Sequence, residues 1–226
     1  MRKAKKILFI SLALVVLLCL GFLKFTKVSK VSCTSQFGPC SVKVEKFLSR
    51  VVSENLFTAR SITMSYLAHE PLISDFSVSL ESVSVLRIFI IERSGFVAFK
   101  RNGSENYMIV DIEGIIIKDE KESALPVLSV DEDLPPTGQS VKGEQLFGAK
   151  LLKTLSDAYG VSRGYLDKDS LKVEVANETK VIFPLSGDKD VMLGSLRFLL
   201  SRLKPLQSGS TIDLRYKNPV IRSNLK

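Results

Sequence analysis

The sequence predicts an α+β protein with an N-terminal transmembrane helix, a small module of order βααββ and a larger β-rich domain with two helices. Three observations lead to this fold class. The first is a run of seventeen residues, 7–23, without a charged side chain. The second is a change from helical to strand periodicity between residues 41 and 91. The third is a series of short strands with turn signals from residue 95 onwards.

Most of the net charge belongs to the N-terminus. The 226 residues include 32 Lys/Arg and 24 Asp/Glu, a net charge of +8. Seven of the basic side chains lie in the first 30 residues, which contain no acid, so the rest of the chain carries only +1. Nucleic-acid binding requires a basic surface, and this nearly neutral remainder argues against a nucleic-acid partner. An apolar content of 45% excludes a disordered chain.

Residues 7–25 are predicted to form an uncleaved signal anchor in the lipid bilayer. As a helix the segment is about 28 Å long, close to the roughly 30 Å thickness of the hydrocarbon layer. A cleaved signal peptide is the main alternative, but it requires small residues at −3 and −1, and 20–24 (LGFLK) offers no such pair. Four basic residues before the run against three after it favour a cytoplasmic tail at 1–6. We therefore expect a single-pass protein of the cytoplasmic membrane with its bulk outside the cytoplasm.

Residues 26–93 are predicted to form the βααββ module. A strand over 25–33 precedes a turn-rich connector, and a second helix over 59–68 must end before Pro71. Strands over 76–80 and 83–91 complete the module, the first of them alternating apolar and polar residues. The first helix follows from apolar residues at helical spacing: Val44, Phe47, Leu48, Val51 and Val52.

Residues 94–222 are predicted to form the β-rich domain, followed by a C-terminal tail at 223–226. Asn102-Gly103 between strands 96–100 and 107–110 indicates a hairpin. Helices are expected over 143–159, which stops at Gly160, and over 189–204 before Pro205. The remaining strands are expected over 115–118, 171–175, 181–185, 211–216 and 220–222.

The residues that could carry catalysis do not form a recognisable set. His69 is the single histidine, and no second histidine or clustered carboxylate accompanies it. Ser201 with Lys204, and Ser223 with Lys226, match the S-x-x-K pattern of penicillin-recognising enzymes, but the companion Ser-Asp-Asn and Lys-Thr-Gly elements are missing. We predict no catalytic residue, no cofactor, no metal site and no small-molecule substrate.

Cys33 and Cys40 are spaced C-x6-C in the connector after the first strand. A redox motif would be C-x2-C, and a zinc site would need two further ligands. The simplest interpretation is a structural disulfide that closes an eight-residue loop.

Several short motifs occur in the order found in the bacterial cell division proteins of the FtsQ/DivIB family. The chain resembles this family over about residues 5–222, and the βααββ unit resembles a POTRA module. Two features depart from the family pattern: Ser94-Gly95 follows Glu92-Arg93 where proline is usual, and the Cys33–Cys40 loop replaces a Val-x-Gly end of the first strand. The stretches that carry the resemblance are Asn55-Leu56-Phe57, Pro71 with Ile73, Glu92-Arg93, Tyr107 with Val110-Asp111 and Gly114, Leu125-Pro126-Val127-Leu128, and Ile212-Asp213-Leu214-Arg215-Tyr216.

The resemblance implies a non-enzymatic scaffold of the divisome that binds the bitopic proteins FtsB (DivIC) and FtsL at the division septum. It also implies a POTRA-like domain at 26–93 and an FtsQ/DivIB-like β domain at 94–222. The family's main partner site, an edge strand that a partner segment extends, transfers to Arg215, Tyr216 and Asn218. Two other classes stay open: a membrane-anchored secretion or assembly component that uses a POTRA-like module, and a cell-wall hydrolase or transpeptidase.

Overall fold

A computed structural model describes residues 26–175, 178–202 and 209–222. The chain divides into two compact units, Met1–Glu92 and Arg93–Lys226. Within the described residues, unit 1 contains four strands and two helices, and unit 2 contains nine strands and two helices.

The predicted fold class needs a correction at its transmembrane helix. Among the described residues no helix is long and apolar enough to cross a membrane. The longest, Gly143–Tyr159, has 17 residues and includes Glu144, Lys150, Lys153 and Asp157, whose charges would be costly to bury in hydrocarbon. The segment 7–25, to which the sequence assigned the helix, lies outside the described residues, as do 1–6 and 223–226. The described residues form an α+β fold that is dominated by two sheets.

Unit 1 is a four-stranded sheet with two helices packed against it. The order across the sheet is β2-β1-β4-β3, in which β1 runs parallel to β4 and β3 antiparallel to it. A parallel pair needs a crossover connection, and the two helices supply it. The elements are β1 (Lys30–Ser35), β2 (Gly38–Pro39), α1 (Val42–Leu48), α2 (Leu56–His69), β3 (Ile73–Ser82) and β4 (Val85–Glu92).

The helices of unit 1 are held to the sheet and to each other by apolar and polar contacts. Ile88 and Ile90 of β4 are fully buried in a cluster with residues of both helices. The Phe47 ring stacks on that of Tyr66 with centroids 3.6 Å apart. The Lys43 ammonium lies 2.8 Å from the buried Glu70 carboxylate, which ties the start of α1 to the end of α2.

Helix α2 begins three residues earlier than the sequence predicts. Asn55, the residue before it, is the N-cap: its Oδ1 accepts the Thr58 N–H at 2.9 Å. Asparagine is a favoured N-cap because its side chain satisfies an otherwise unpaired backbone donor. Asn55 therefore starts α2, whereas α1 already ends at Leu48.

Unit 2 is a nine-stranded mixed sheet of order β13-β12-β11-β10-β9-β8-β5-β6-β7. Its first four strands are β5 (Val97–Arg101), β6 (Tyr107–Val110), β7 (Ile116–Glu120) and β8 (Val127–Val130). They are followed by α3 (Gly143–Tyr159), β9 (Arg163–Asp167), β10 (Ser170–Val175), β11 (Thr179–Pro184), α4 (Lys189–Arg202), β12 (Thr211–Asp213) and β13 (Val220–Arg222).

Both helices of unit 2 contribute to a single core with one face of the sheet. The crossovers from β8 to β9 and from β11 to β12 join parallel neighbours, and α3 and α4 form them. On β10, Leu171 and Val173 are buried against the helices, whereas Lys172 and Glu174, which alternate with them, are exposed. This alternation is that of a sheet with one covered face and one face open to solvent.

Candidate functional site

The three predicted partner-binding residues lie in a bend rather than on a strand. The sequence predicts one strand over 211–216, but β12 ends at Asp213, and residues 215–218 form bends before β13. Arg215, Tyr216 and Asn218 are all exposed in this connection. The prediction of a strand that continues to Tyr216 is therefore wrong. The assignment of the three residues to a partner site stays a prediction.

The bend is formed by the side chain of Asp213, the last residue of β12. Oδ1 of Asp213 accepts the backbone N–H of Arg215 at 3.1 Å and its Nε–H at 3.0 Å. The Arg215 Nη2–H donates to Oδ2 at 2.8 Å. Aspartate commonly turns a chain by bonding the backbone two residues ahead, and here a bidentate guanidinium strengthens that turn. Arg215 therefore holds the connection in place and is not free to bind a partner with its whole donor set.

Stability is expected to depend on pH through Asp213. The hydrogen bond from the Arg215 guanidinium holds the pKa of this carboxyl below its ordinary value of about 4. A carboxyl whose pKa is depressed by folding stabilises the fold above its unfolded pKa, and that stabilisation is lost as the pH falls through the folded value. The thermal midpoints of the wild type and Asp213→Asn should differ at about pH 6 and converge as the pH falls through the folded pKa of Asp213, which lies below the ordinary value of about 4. A constant difference across this range would contradict the role given to the carboxylate.

Tyr216 is the most accessible aromatic group of the connection. Its side chain is 57% exposed, and the Arg215 guanidinium lies 5.9 Å from its ring centroid. An exposed tyrosine offers a large apolar ring and a polar hydroxyl at low entropic cost, and such residues are enriched at binding interfaces. Tyr216 thus remains the strongest of the three predicted residues as a partner contact.

The hydrogen bonds of β12 establish which of its residues face β11. The Lys180 N–H donates to the Ser210 carbonyl at 2.9 Å, and the Leu214 N–H donates to the Ile182 carbonyl at 2.8 Å. Backbone groups alternate in direction along a strand. Ile212, which lies midway between Ser210 and Leu214, must therefore also bond β11.

The same alternation orients the backbone of β13. The backbone N–H and C=O groups of Thr211 and Asp213 point towards β13, where these two residues are in register with Arg222 and Val220. These are the hydrogen-bonded pairs of the antiparallel ladder. The Ile221 N–H and C=O consequently point away from β12, towards the open edge of the sheet in the described part of the chain. Sequence reasoning predicted this strand but missed Ile221, because the direction of its backbone groups follows from the register with β12, which the sequence does not show.

A groove beside β12 crosses the face of the sheet opposite α3 and α4. It has a volume of about 500 Å³ and is lined by residues of five adjacent strands, among them Arg163, Tyr165, Lys172, Lys180 and Thr211. The lining combines basic and aromatic side chains on a largely apolar floor. It gives the candidate site an adjoining concave surface.

Two further motifs of the sequence analysis are brought together at the start of unit 2. Arg93 donates through Nη1 to the carboxylates of Asp111 and Glu113. Oδ1 of Asp111 in turn accepts the N–H groups of Glu113 at 3.0 Å and Ile115 at 2.8 Å. Gly114 completes this turn with a φ of +91°, a conformation that glycine adopts without a steric penalty. The Glu-Arg and Val-Asp-x-x-Gly motifs thus have a structural role.

Ser201 and His69, which were considered for catalysis, each contact a backbone carbonyl of their own helix. The Ser201 hydroxyl donates to the Phe198 carbonyl of its own helix at 2.8 Å. Nδ1 of His69 lies 2.7 Å from the Ser65 carbonyl oxygen. Lys204, Ser223 and Lys226 lie outside the described residues. Across residues 26–175, 178–202 and 209–222, no group of three or more His, Cys, Asp or Glu side chains could hold a metal ion.

Cys33 and Cys40 are joined by a disulfide in unit 1. Their Cα atoms are 5.6 Å apart, within the usual range of about 4.4–6.8 Å. The connector that contains them is a hairpin of β1 and β2, in which Thr34 pairs with Pro39. At its far side the Gln36 amide bonds both the N–H and the C=O of Glu92. The disulfide therefore closes a hairpin that is anchored to the end of β4.

Removal of the disulfide is expected to lower the free energy of unfolding of unit 1 by about 2–3 kcal/mol, from the chain-entropy cost of the loop it closes. The double variant Cys33→Ala/Cys40→Ala would be compared with the wild type by urea unfolding followed by circular dichroism. Reduction of the wild type should produce the same loss. Equal stability of oxidised and reduced protein would mean that the hairpin holds without the bond.

Comparison of the chain with models of known protein families and with curated proteins finds no match.

Proposed function

We propose that the chain is a non-enzymatic scaffold of the bacterial division machinery that binds partner proteins of the FtsB/DivIC and FtsL type during septum formation. The observation that carries the proposal is the end strand β13, where Ile221 directs its N–H and C=O outwards beside the exposed Tyr216. An extended partner segment would pair with these backbone groups and extend the sheet.

The short, charged edge of β13 favours pairing with a specific partner strand over non-specific aggregation. β13 has only three residues, and Arg222 carries a charge at its end. Short, charged edges resist aggregation, so a partner needs further contacts to bind. Tyr216 and the adjoining groove supply surfaces for such contacts. The side chains of Val220 and Ile221 are each 38% exposed, which leaves apolar area for a partner strand to cover.

The disulfide supports a location on the outer side of the cytoplasmic membrane, which we propose is at the division septum. Disulfides persist in oxidising compartments and are rare in the reducing cytosol. Free-thiol labelling of the exported protein checks this point. Reactive thiols at both Cys33 and Cys40 would argue against the proposed compartment.

The substitution Ile221→Pro tests whether a backbone edge binds the partner. Proline removes the outward N–H, and edge positions tolerate proline because that group does not belong to the internal ladder. We expect at least about a tenfold weaker complex with a purified partner of the FtsB/DivIC type, the effect of losing one hydrogen bond. Isothermal titration calorimetry on the full chain provides the measurement.

Two matched variants make the result specific. Ile221→Ala keeps the N–H and shortens the side chain, so it should bind more tightly than Ile221→Pro. Val220→Pro removes a bond within the sheet and should lower stability as well as binding. If Ile221→Pro folds and binds like the wild type, strand addition at β13 is excluded.

The cellular role is tested by depletion and replacement. Depletion of the protein should produce filamentous cells, and expression of Tyr216→Lys should fail to restore division fully. Normal division with Tyr216→Lys would show that Tyr216 is not needed at the partner site. Normal division under full depletion would disprove the role in division itself.

A further inference from the structure

We propose that Asn102 is a deamidation site whose rate is controlled by Asp131. Asn102 and Gly103 form the exposed tip of the hairpin between β5 and β6. The turn is closed by the Ser104 N–H, which donates to the Arg101 carbonyl at 3.0 Å. This inference concerns unit 2 alone and does not depend on the proposed role in division.

The local geometry exposes the reacting groups. Gly103 has a φ of +83°, and a Cβ built on it would meet no atom within 4 Å. The Gly103 N–H donates to no other group in the described part of the chain, so no bond has to be broken before it reacts. An asparagine followed by glycine is the arrangement in which the next backbone nitrogen most easily approaches the side-chain carbonyl carbon, since glycine has no Cβ in the way.

The reaction consumes one water molecule and releases one ammonia. The Gly103 backbone nitrogen loses its proton and forms a bond to Cγ of Asn102, the bond from Cγ to Nδ2 breaks, and ammonia leaves with the proton. A five-membered succinimide results. Water then adds to either imide carbonyl, and ring opening produces aspartate or isoaspartate at position 102. No oxidant or reductant is needed.

Asp131 restrains this reaction by holding the leaving group. Nδ2 of Asn102 donates to Oδ1 of Asp131 at 2.5 Å, and the Asn102 backbone N–H donates to the Val130 carbonyl at 3.0 Å. Oδ2 of Asp131 accepts the hydroxyl of Tyr165. The Asn102 side chain is therefore fixed to the end of β8, and rotation of Cγ towards the Gly103 nitrogen requires that this bond break.

The product would change the same contact. Deamidation replaces the Nδ2 donor with a carboxylate oxygen, which places two negatively charged acceptors opposite each other. Like charges repel at this separation, so the hairpin tip would detach from β8. Because Tyr165 also lines the groove on the open face, the modification would be transmitted to that surface through Asp131.

Timed incubation of the full chain at mildly alkaline pH, followed by tryptic digestion and mass spectrometry, tests the proposal. Trypsin cleavage after Arg101 and Lys118 yields a peptide in which Asn106, followed by tyrosine, is an internal comparator. We expect conversion at Asn102 and not at Asn106. Asp131→Ala should accelerate conversion about tenfold, the factor expected for loss of one hydrogen bond to a charged group.

Asp133→Ala is the matched control, because this acid pairs with Arg101 at 2.6 Å and does not contact Asn102. It should leave the rate unchanged. Equal rates in the wild type and Asp131→Ala would overturn the control by Asp131. If neither the wild type nor Asp131→Ala converts over a period in which a free Arg-Asn-Gly-Ser peptide converts fully, Asn102 is not a deamidation site. Asn102→Asp should speed amide hydrogen exchange at positions 102 and 104, whose N–H groups donate to the Val130 and Arg101 carbonyls. Unchanged exchange at position 102 would contradict detachment of the hairpin tip.

Discussion

Replacement of Asp111 with alanine is expected to lower the free energy of unfolding of unit 2 by about 3–5 kcal/mol, the usual cost of removing one partner from a buried ion pair. The Asp111 side chain is 4% exposed and that of Arg93 is 13% exposed. The variant leaves the guanidinium without its buried partner and two backbone N–H groups of the turn without an acceptor. Both losses lower the free energy of unfolding of unit 2.

Glu113→Ala is the control for this prediction, because Glu113 also contacts the Arg93 guanidinium, at 2.6 Å, but is 64% exposed. Exposed ion pairs contribute little, so the control should remain within about 0.5 kcal/mol of the wild type. Urea titration with amide hydrogen exchange of β5 and β6 measures unit 2 separately. A loss of similar size in both variants would show that Asp111 has no special role in the turn.

Phe183→Ala is expected to cost about 3–5 kcal/mol, the range for truncation of a buried aromatic side chain. Phe183 lies on β11, is fully buried and belongs to the core that α3 and α4 cover. Because β11 directly pairs with β12, the cavity would loosen the neighbour of the candidate site. We expect hydrogen exchange at Ile212 to accelerate together with that of β11.

Phe198→Ala provides the matched comparison on α4. Its side chain is 58% exposed, so truncation creates no cavity and should change stability by no more than about 0.5 kcal/mol. The same measurement applies to both variants. Equal losses would mean that the ring of Phe198 is covered in solution, and no loss in Phe183→Ala would contradict the described core.

Local patterns predicted the long, strongly periodic elements well. Helix α3 begins at Gly143 and ends at Tyr159, as its apolar stripe indicated. Gly160 terminates it with a φ of +69°, the left-handed conformation that favours glycine at the end of a helix. Signals of this kind depend only on neighbours within one helical turn, so the sequence alone is enough to predict them.

The end of β12 shows where local patterns are insufficient. Alternation through Ile212, Leu214 and Tyr216 is the pattern of a strand that continues. The chain instead bends after Asp213 because that carboxylate bonds the backbone and guanidinium of Arg215. Aspartate and arginine two residues apart occur in strands and in turns alike, so their spacing did not distinguish the two.

The sequence likewise does not reveal how segments that are distant in the chain pack against each other. Gly148 interrupts the apolar stripe of α3 without a visible reason in the sequence. In the fold a Cβ at this position would come within 2.7 Å of Cδ1 of Leu166. A Cβ at position 148 would therefore require the Leu166 side chain to shift, a constraint that arises only once α3 and β9 meet.

The sequence by itself determined the α+β character of the described residues, the four helices and most of the strands, and the concentration of charge at the N-terminus. These properties follow from residue types and their periodicity. The sequence did not predict β2, β8 or β9. The tertiary structure decided that Arg215 is bonded within its own connection, that β13 is an end strand of the sheet formed by the described residues and that Ile221 directs its backbone outwards. Strand order and hydrogen-bond direction depend on pairing between segments far apart in the chain, and periodicity along one segment contains no information about its partner.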